Sequence, residues 1–346
     1  MGQFYRWSLT ALTCAAVSPF LATQFPAHAQ GVGPEAFYKG RSVNMIIGYS
    51  VGGGYDLYAR VLSNHLGKHI PGNPTLVPQN MTGAGSAKAA NYIYSVAPKD
   101  GSVIGTFSRS MAINPLIADA KFDGTKFTWL GSITNDVSVC ISWHTSAIKT
   151  WDDLMKAQFT VGGEGAGADP DLFAQLYKNV FGAKMKLVTG YPGTADVVLA
   201  MERREVDGLC GISWSTIKAR HSDWVKNKQI NVLVQAALHR DPDLSDVPLA
   251  TDLAAQPEQL QILKLLLASQ AMARPFAAPP DIAAERKTAL QNAFANTMKD
   301  PDFLKEAESR KLDVNPILPA EIDALLKELY ATPKDILAKA SRAISN

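Results

Sequence analysis

The sequence predicts an α/β protein of two lobes, each a mostly parallel sheet flanked by helices. Three observations predict it. One local pattern recurs along the chain: a short apolar strand runs into a Gly/Ser-rich loop, and a helix begins directly after it. Alternating strands and helices of this kind build parallel sheets with helices on both faces. The segment Val137 to Trp143 is strand-like but follows no helix, which marks a crossing between lobes. Finally, 346 residues with 47% hydrophobic content are enough for about two domains.

The units follow in order. Val43 to Tyr49 is a strand, Ser50-Val-Gly-Gly-Gly-Tyr55 its loop, and a helix is predicted from about Asp56 to Lys68. Leu57, Val61, Leu62 and Leu66 recur there at helical spacing, so that helix buries a stripe. Leu76-Val-Pro78, the loop Met81 to Ser86 and a helix over Ala87 to Val96 form the second unit, closed by a turn at Pro98-Lys-Asp-Gly101. Val103 to Phe107, the loop Ser108-Arg-Ser110 and a short helix near Met111 form the third. Beyond the crossing come Phe159 to Gly162 with the loop Gly163 to Asp169, then Lys186-Leu-Val188 with Thr189 to Thr194, then Gly208 to Ile212 with Ser213-Trp-Ser215. Asp169 is read as the N-cap of a helix whose first residue is Pro170. Ile230 to Ala236 is a last strand, after which the chain returns to the first lobe. Helices are predicted over Asp281 to Met298, Pro301 to Arg310 and Pro319 to Leu329. The division expected is residues 30–136 for the first part of lobe one, 137–240 for lobe two, and 241–346 for the return and C-terminal helices.

Composition narrows the function. Charged residues are 19% of the chain and the formal net charge is +2, with no basic stripe to meet a phosphate backbone, so no nucleic-acid partner is expected. At the N-terminus Arg6 precedes an apolar run from Trp7 to Leu21, and Pro26-Ala-His-Ala29 offers small residues for a peptidase. This predicts a signal peptide over 1–29, cleaved after Ala29, and hence export. Cys14 leaves with it. Cys140 and Cys210 remain, both in apolar strands; they can pair in an oxidising compartment, but two buried thiols is the preferred reading.

The loops carry the chemistry. A helix N-terminus presents unpaired backbone N–H groups and a partial positive charge, and glycine ahead of it lets an anion approach. In open α/β sheets the ligand crevice lies outside the carboxyl ends of the strands. If two lobes face each other, their loops converge on one cleft. Candidate ligand contacts are therefore Tyr49, Ser50, Gly52, Gly53 and Gly54; Ser108, Arg109 and Ser110; Gly165, Ala166 and Gly167; Tyr191, Pro192, Gly193 and Thr194; and Trp214. Arg109 either clamps a carboxylate in two hydrogen bonds or is a solvated loop residue. Tyr191 and Trp214 either wall the ligand's carbon skeleton or pack under their loops. Asp56 is read as serving its own helix. Gly163-Glu-Gly-Ala-Gly167 is a weak dinucleotide pattern, since the next strand ends in Thr189-Gly190 without an acid, and no Lys-Ser/Thr follows any glycine loop. No Gly-x-Ser-x-Gly elbow or His-Glu-x-x-His is present, and His65 and His69, one turn apart, are read as a half-exposed helix face. No enzyme, cofactor or metal is expected.

In order and spacing, Gly52-Gly-Gly-Tyr-Asp56 with Ala59-Arg60, Gly83-Ala-Gly85, Ala97-Pro-Lys-Asp-Gly101 and Ala112-Ile-Asn-Pro115 form a series. It continues in Trp151-Asp-Asp-Leu154, Gly190-Tyr-Pro-Gly-Thr194, Val206-Asp207, Asp246-Val-Pro248 and Asp300-Pro301. The series resembles the Bug-type receptors of tripartite tricarboxylate transporters, periplasmic solute-binding proteins, over nearly all of the mature chain. The resemblance implies a two-lobed, type II (Venus flytrap) binding-protein fold and a small organic carboxylate held largely by backbone N–H groups and water. Contacts would come from Ser50 to Gly54, Ser108 to Ser110, Gly165 to Gly167 and Tyr191 to Thr194. It also implies a periplasmic monomer that serves the membrane subunits of a transporter, or else a sensor kinase. The sequence departs from the family in Val51 beside the glycine run, in Ala166-Gly167 where serines are usual, in Gly211 where an acid is usual, and in Arg109. These departures fit a ligand with less ammonium character and more apolar bulk. A secreted α/β hydrolase is the alternative from another class; it would lose turnover with a single loop serine, whereas a receptor would lose only affinity.

Overall fold

Alternation along β1 (Ser42–Ile47) sets the first lobe. Val43, Met45 and Ile47 pack with Leu57, Val61 and Leu62 of the helix Gly54–Leu66, while Ile46 faces the opposite side with Val103, Phe107 and Trp129. A strand with both faces apolar must be covered twice, and the helices do so. This computed structural model describes residues 33–345; the expected signal peptide, its cleavage site and Cys14 lie outside them.

The other strands are β2 (Thr75–Asn80), β3 (Val103–Thr106), β4 (Thr128–Ser132), β5 (Ser138–Trp143), β6 (Phe159–Gly162), β7 (Met185–Val188), β8 (Gly208–Ser213), β9 (Ile230–Ala236) and β10 (Pro275–Ala278). Among the described residues they form two five-stranded sheets, ordered β2-β1-β3-β10-β4 and β7-β6-β8-β5-β9. Within each sheet one strand opposes the rest: β10 is antiparallel to β3 and β4, and β5 is antiparallel to β8 and β9. Pro78, which has no N–H to donate, sits in the edge strand β2. Two sheets of mostly parallel strands flanked by helices are what the sequence predicts. The short strands β4 and β10 are additions that it does not.

The chain crosses between the sheets twice, from β4 to β5 and from β9 back to β10. The two crossings pair with each other: Ile133 N donates to Arg274 O, Ala273 N to Thr134 O and Asp136 N to Gln270 O, at 3.0–3.2 Å. Within residues 241–346, β10 and the helices Ala284–Thr297 and Pro301–Ser309 pack with the first sheet, through Leu290, Phe294 and Phe303. The helices Pro257–Leu267 and Lys334–Ala343 pack instead with the core of the second, where Leu263 and Leu266 meet Phe173 and Leu176.

Cys140 and Cys210 form a disulfide, which corrects the preferred reading of two thiols. The cause lies in topology. β5 and β8 are neighbours in the sheet with these residues in register, although 70 positions separate them in sequence. Among the described residues no helix is long and apolar enough to cross a membrane.

Candidate functional site

Each predicted loop sits between a strand end and a helix start, and loops of the two lobes meet. Ser50 Oγ donates to Asp196 Oδ2 at 2.6 Å. Ser108 Oγ donates to Gly167 O at 3.2 Å, and Ser110 Oγ donates to the same oxygen. Gly85 N donates to Glu164 O at 3.0 Å. Here the backbones come so close that a Cβ on Gly85 would stand 2.7 Å from Ala168 N, so only glycine permits the contact.

The backbone donors that sequence offers to a ligand are largely taken by the loops' own side chains. Gly52 N donates to Asp56 Oδ2 at 3.0 Å. Burial works against the Asp56 carboxylate, but Arg60, Asn80 and that N–H hold its pKa below the usual value. Asp171 Oδ2 takes the N–H groups of Glu164 and Gly165 at 2.6 and 2.9 Å, so an internal carboxylate already occupies the loop ahead of the helix Asp169–Phe181. Arg109 N donates to the Tyr55 hydroxyl at 3.0 Å. Asp169 corrects its predicted role: the N-cap position is Ala168, and the Asp169 carboxylate turns away from the helix to a guanidinium.

That guanidinium belongs to Arg109, which is 1% exposed. The bland reading of a solvated loop arginine is therefore set aside. Its Nε donates to Asp169 Oδ2 at 2.7 Å, Nη2 lies 2.5 Å from the same oxygen, and Nη2 also reaches Ser138 Oγ and Ser213 Oγ at 2.9 and 3.2 Å. Nη1 has no hydrogen-bond partner. A second arginine, Arg274, is equally buried at the paired crossings. Its Nη2 reaches Thr216 Oγ1 at 3.1 Å and both Ser215 Oγ and Asp136 Oδ2 at 3.3 Å, while its Nε has no partner. The guanidinium lies 5.0 Å from the ring centres of both Tyr55 and Tyr58. Gly54 admits it, since a Cβ there would meet Thr216 Oγ1 and Arg274 Nη2.

Both arginines line a cavity of about 20 Å³ between the lobes, together with Tyr49, Tyr55, Glu164 and Thr194. This is room for about one water, so a ligand of several heavy atoms enters only when the lobes separate. Tyr49 and Tyr55 stack at 4.7 Å. Burial raises the pKa of both hydroxyls, which stay neutral. Burial also pushes Glu164 up to about 8, against the help of Thr194 Oγ1, which donates to its Oε1 at 2.7 Å; the charges of Asp171, Asp169 and Asp196 raise it further.

Of the sequence candidates, Tyr49, Gly54, Arg109 and Thr194 line this cavity. Ser50, Ser108, Ser110, Gly167 and Gly193 join the lobes around it; a Cβ on Gly193 would meet Ser50 Oγ. Gly53 and Gly165 lie in the same interlobe contacts, and Gly52 is held by Asp56. Ala166 and Pro192 are exposed. Tyr191 packs against the second lobe's core. Trp214 is buried, its Nε1 3.4 Å from Asp243, and lines a separate groove with Leu304 and Lys311. Sequence reasoning passed over Tyr55, Glu164 and Arg274. A charged residue in the apolar stretch Ala271-Met-Ala-Arg-Pro-Phe276 was the available signal for Arg274.

No protein-family model and no curated protein matches this sequence. Solved structures do. The periplasmic binding protein BugD superposes with a TM-score of 0.70 at 19% identity, over 88% of this chain and 98% of its own. A protein of R. palustris solved with adipate reaches 0.67 at 18%, over 87% and 97%. MatC from Rhodopseudomonas palustris with bound malate reaches 0.67 at 17%, over 88% and 99%. Likeness at this identity speaks to architecture, and together with the two sheets and their paired crossings it establishes that the chain has the two-lobed fold of periplasmic binding proteins.

Proposed function

We propose that this protein is a solute-binding receptor outside the cytoplasmic membrane that closes around a small carboxylate and presents it to membrane transport subunits. One observation carries the reading: two arginines, each 1% exposed, line a cavity between the lobes and keep unpartnered N–H groups there. An unpaired buried donor is costly, and a carboxylate satisfies it with a charge-assisted bond. The proteins of like fold solved with adipate and malate support the choice of anion. In this reading Arg109, Arg274, Tyr49, Gly54 and Thr194 face the ligand, and residues 137–240 with the helices Pro257–Leu267 and Lys334–Ala343 move against residues 33–136 with β10 and the helices packed on it. The receptor acts as a monomer.

A thermal-shift screen of the purified protein against small carboxylates, followed by calorimetry, tests this. Ligand at about a hundred times its dissociation constant adds about 2.7 kcal/mol. Binding without turnover is the expected result. A panel without any shift, from a folded sample, would sink the carboxylate assignment.

A further inference from the structure

We infer that the interlobe site, once the lobes part to admit a ligand, is polar along its length, with Arg109 and Arg274 taking the ligand's carboxylate and Glu164 selecting a hydroxyl or ammonium group at the other end, against a second carboxylate. The inference deepens the receptor reading above and rests on it.

The order of groups comes from contacts. The Arg274 guanidinium lies 5.0 Å from the Tyr55 ring centre, and Arg109 N is bonded to the Tyr55 hydroxyl. The Tyr55 ring stacks on Tyr49 at 4.7 Å, and Tyr49 lies beside Glu164 in the cavity wall. The cationic groups thus meet Tyr55, while Glu164 acts on Tyr49, the ring stacked against it. At the arginine end each cation has an aspartate partner, Asp169 for Arg109 and Asp136 for Arg274, yet Arg109 Nη1 and Arg274 Nε remain free to donate. At the other end Glu164 is 5% exposed and bonded through Thr194. The charges that act on it most are those of Asp171, Asp169 and Asp196, all acidic. A second ligand carboxylate would add like charge to that group in a place with little water, which disfavours it. A hydroxyl donates or accepts there whichever form Glu164 takes, and an ammonium ion draws it to the ionised form. Gly211 leads to the expectation of a ligand with less ammonium character; Glu164, in the loop after β6, supplies a carboxyl that this expectation does not count.

Calorimetry at neutral pH with straight-chain acids matched in length, differing only in a terminal methyl, hydroxyl, ammonium or carboxylate, tests the inference. The hydroxy or amino acid is expected to bind at least about ten-fold more tightly than the diacid and the methyl-terminated acid. Glu164→Gln should narrow the gap to the diacid to about three-fold or less. The wild-type ranking is sufficient by itself if that variant folds poorly. A diacid or methyl-terminated acid that binds as tightly as the hydroxy acid overturns the inference and leaves the receptor reading in place. Failure of every acid to bind overturns both.

Discussion

The two lobes share a scaffold and differ in charge. In each sheet three parallel strands are followed by the antiparallel strand that enters after a crossing, then by a fourth strand aligned with the first three. The same loops therefore arrive at the cleft from both sides. From the first lobe come Arg109, Tyr49, Tyr55, Ser108 and Ser110; from the second come Glu164, Asp169 and Asp196. The difference teaches that scaffold and closure are separate problems: strand order fixes where loops go, and the Arg109–Asp169 ion pair with hydrogen bonds between those loops holds the lobes together.

The disulfide is the largest asymmetry between the lobes. Cys140–Cys210 closes a loop across a separation of 70 residues in the second lobe only. Limiting the unfolded chain by such a loop contributes about 4 kcal/mol. Cys140→Ala with Cys210→Ala should lower the stability of the second lobe by about that amount in denaturant unfolding, and reduction of the wild type should do the same. Hydrogen exchange then distinguishes the lobes: amides of β1 and β3 should keep their protection while those of β5 and β8 lose it. Equal loss in both would mean that the lobes unfold as one unit.

Asp169→Asn breaks the charge comparison at its centre. Arg109 would be left buried without its partner, a change that costs about 3 kcal/mol or more. If the lobes hinge as the receptor reading has it, that cost is avoided by opening, which hydrates the guanidinium. The expected outcome is a larger radius of gyration by small-angle scattering with little change in the melting of either lobe. Arg109→Met with Asp169→Met should stay closed, since the replacement removes both charges together. A compact Asp169→Asn variant would show that the pair does not control closure.

In the receptor reading, Glu164 should make closure depend on pH. Its pKa is about 8 where the lobes meet, against 4.5 for an ordinary glutamate. The cause is first burial, then Asp171 and Asp169 on the following helix and Asp196 beside Thr194 on the helix Thr194–Glu202, with Tyr49 facing it from the first lobe. The closed form holds the proton more tightly than the open form. Closure is therefore favoured most below about 4.5 and loses that support as pH rises through about 8. Scattering across that range should show opening at alkaline pH, and Glu164→Gln should flatten the profile. An unchanged profile in the variant would assign the effect to another group.

Architecture was more legible than chemistry because it depends on local patterns. Apolar runs, glycine loops and helical stripes such as Leu57, Val61 and Leu62 placed most of the strands and helices. Strand β10 was missed because Pro275–Ala278 is four residues long and its partners β3 and β4 are remote in sequence. The same remoteness hid the neighbourhood of Cys140 and Cys210. At the site, glycine loops marked strand ends that meet between the lobes, but not where their N–H groups go. Asp56 and Asp171 take them, and nothing local in Asp169-Pro-Asp171 says that the first acid leaves its helix for Arg109 while the second caps the loop. Arg274 stood out locally only as a charge in an apolar stretch; its partners, Asp136 and Thr216, are brought to it only by the fold.

The Ser50–Asp196 bond gives the smallest expected effect and isolates closure from the arginines. Ser50 Oγ donates to Asp196 Oδ2 at 2.6 Å, and both side chains are half-buried at the rim. A hydrogen bond to a charged group contributes about 1.5 kcal/mol, less when water can replace it. Ser50→Ala should therefore weaken ligand affinity by roughly ten-fold or less, since it destabilises only the closed form to which ligand binds. The loss should appear in the dissociation rate, because the rim contact forms after the ligand has entered. Asp196→Asn should do less, as its amide oxygen still accepts from Ser50, and it removes one of the charges that hold Glu164 protonated. That variant should consequently lower the pH at which the lobes open. Were Ser50→Ala and Asp196→Asn to affect affinity alike and leave the pH profile untouched, the rim would be a simple latch, and the charge on the second lobe would matter only at Arg109.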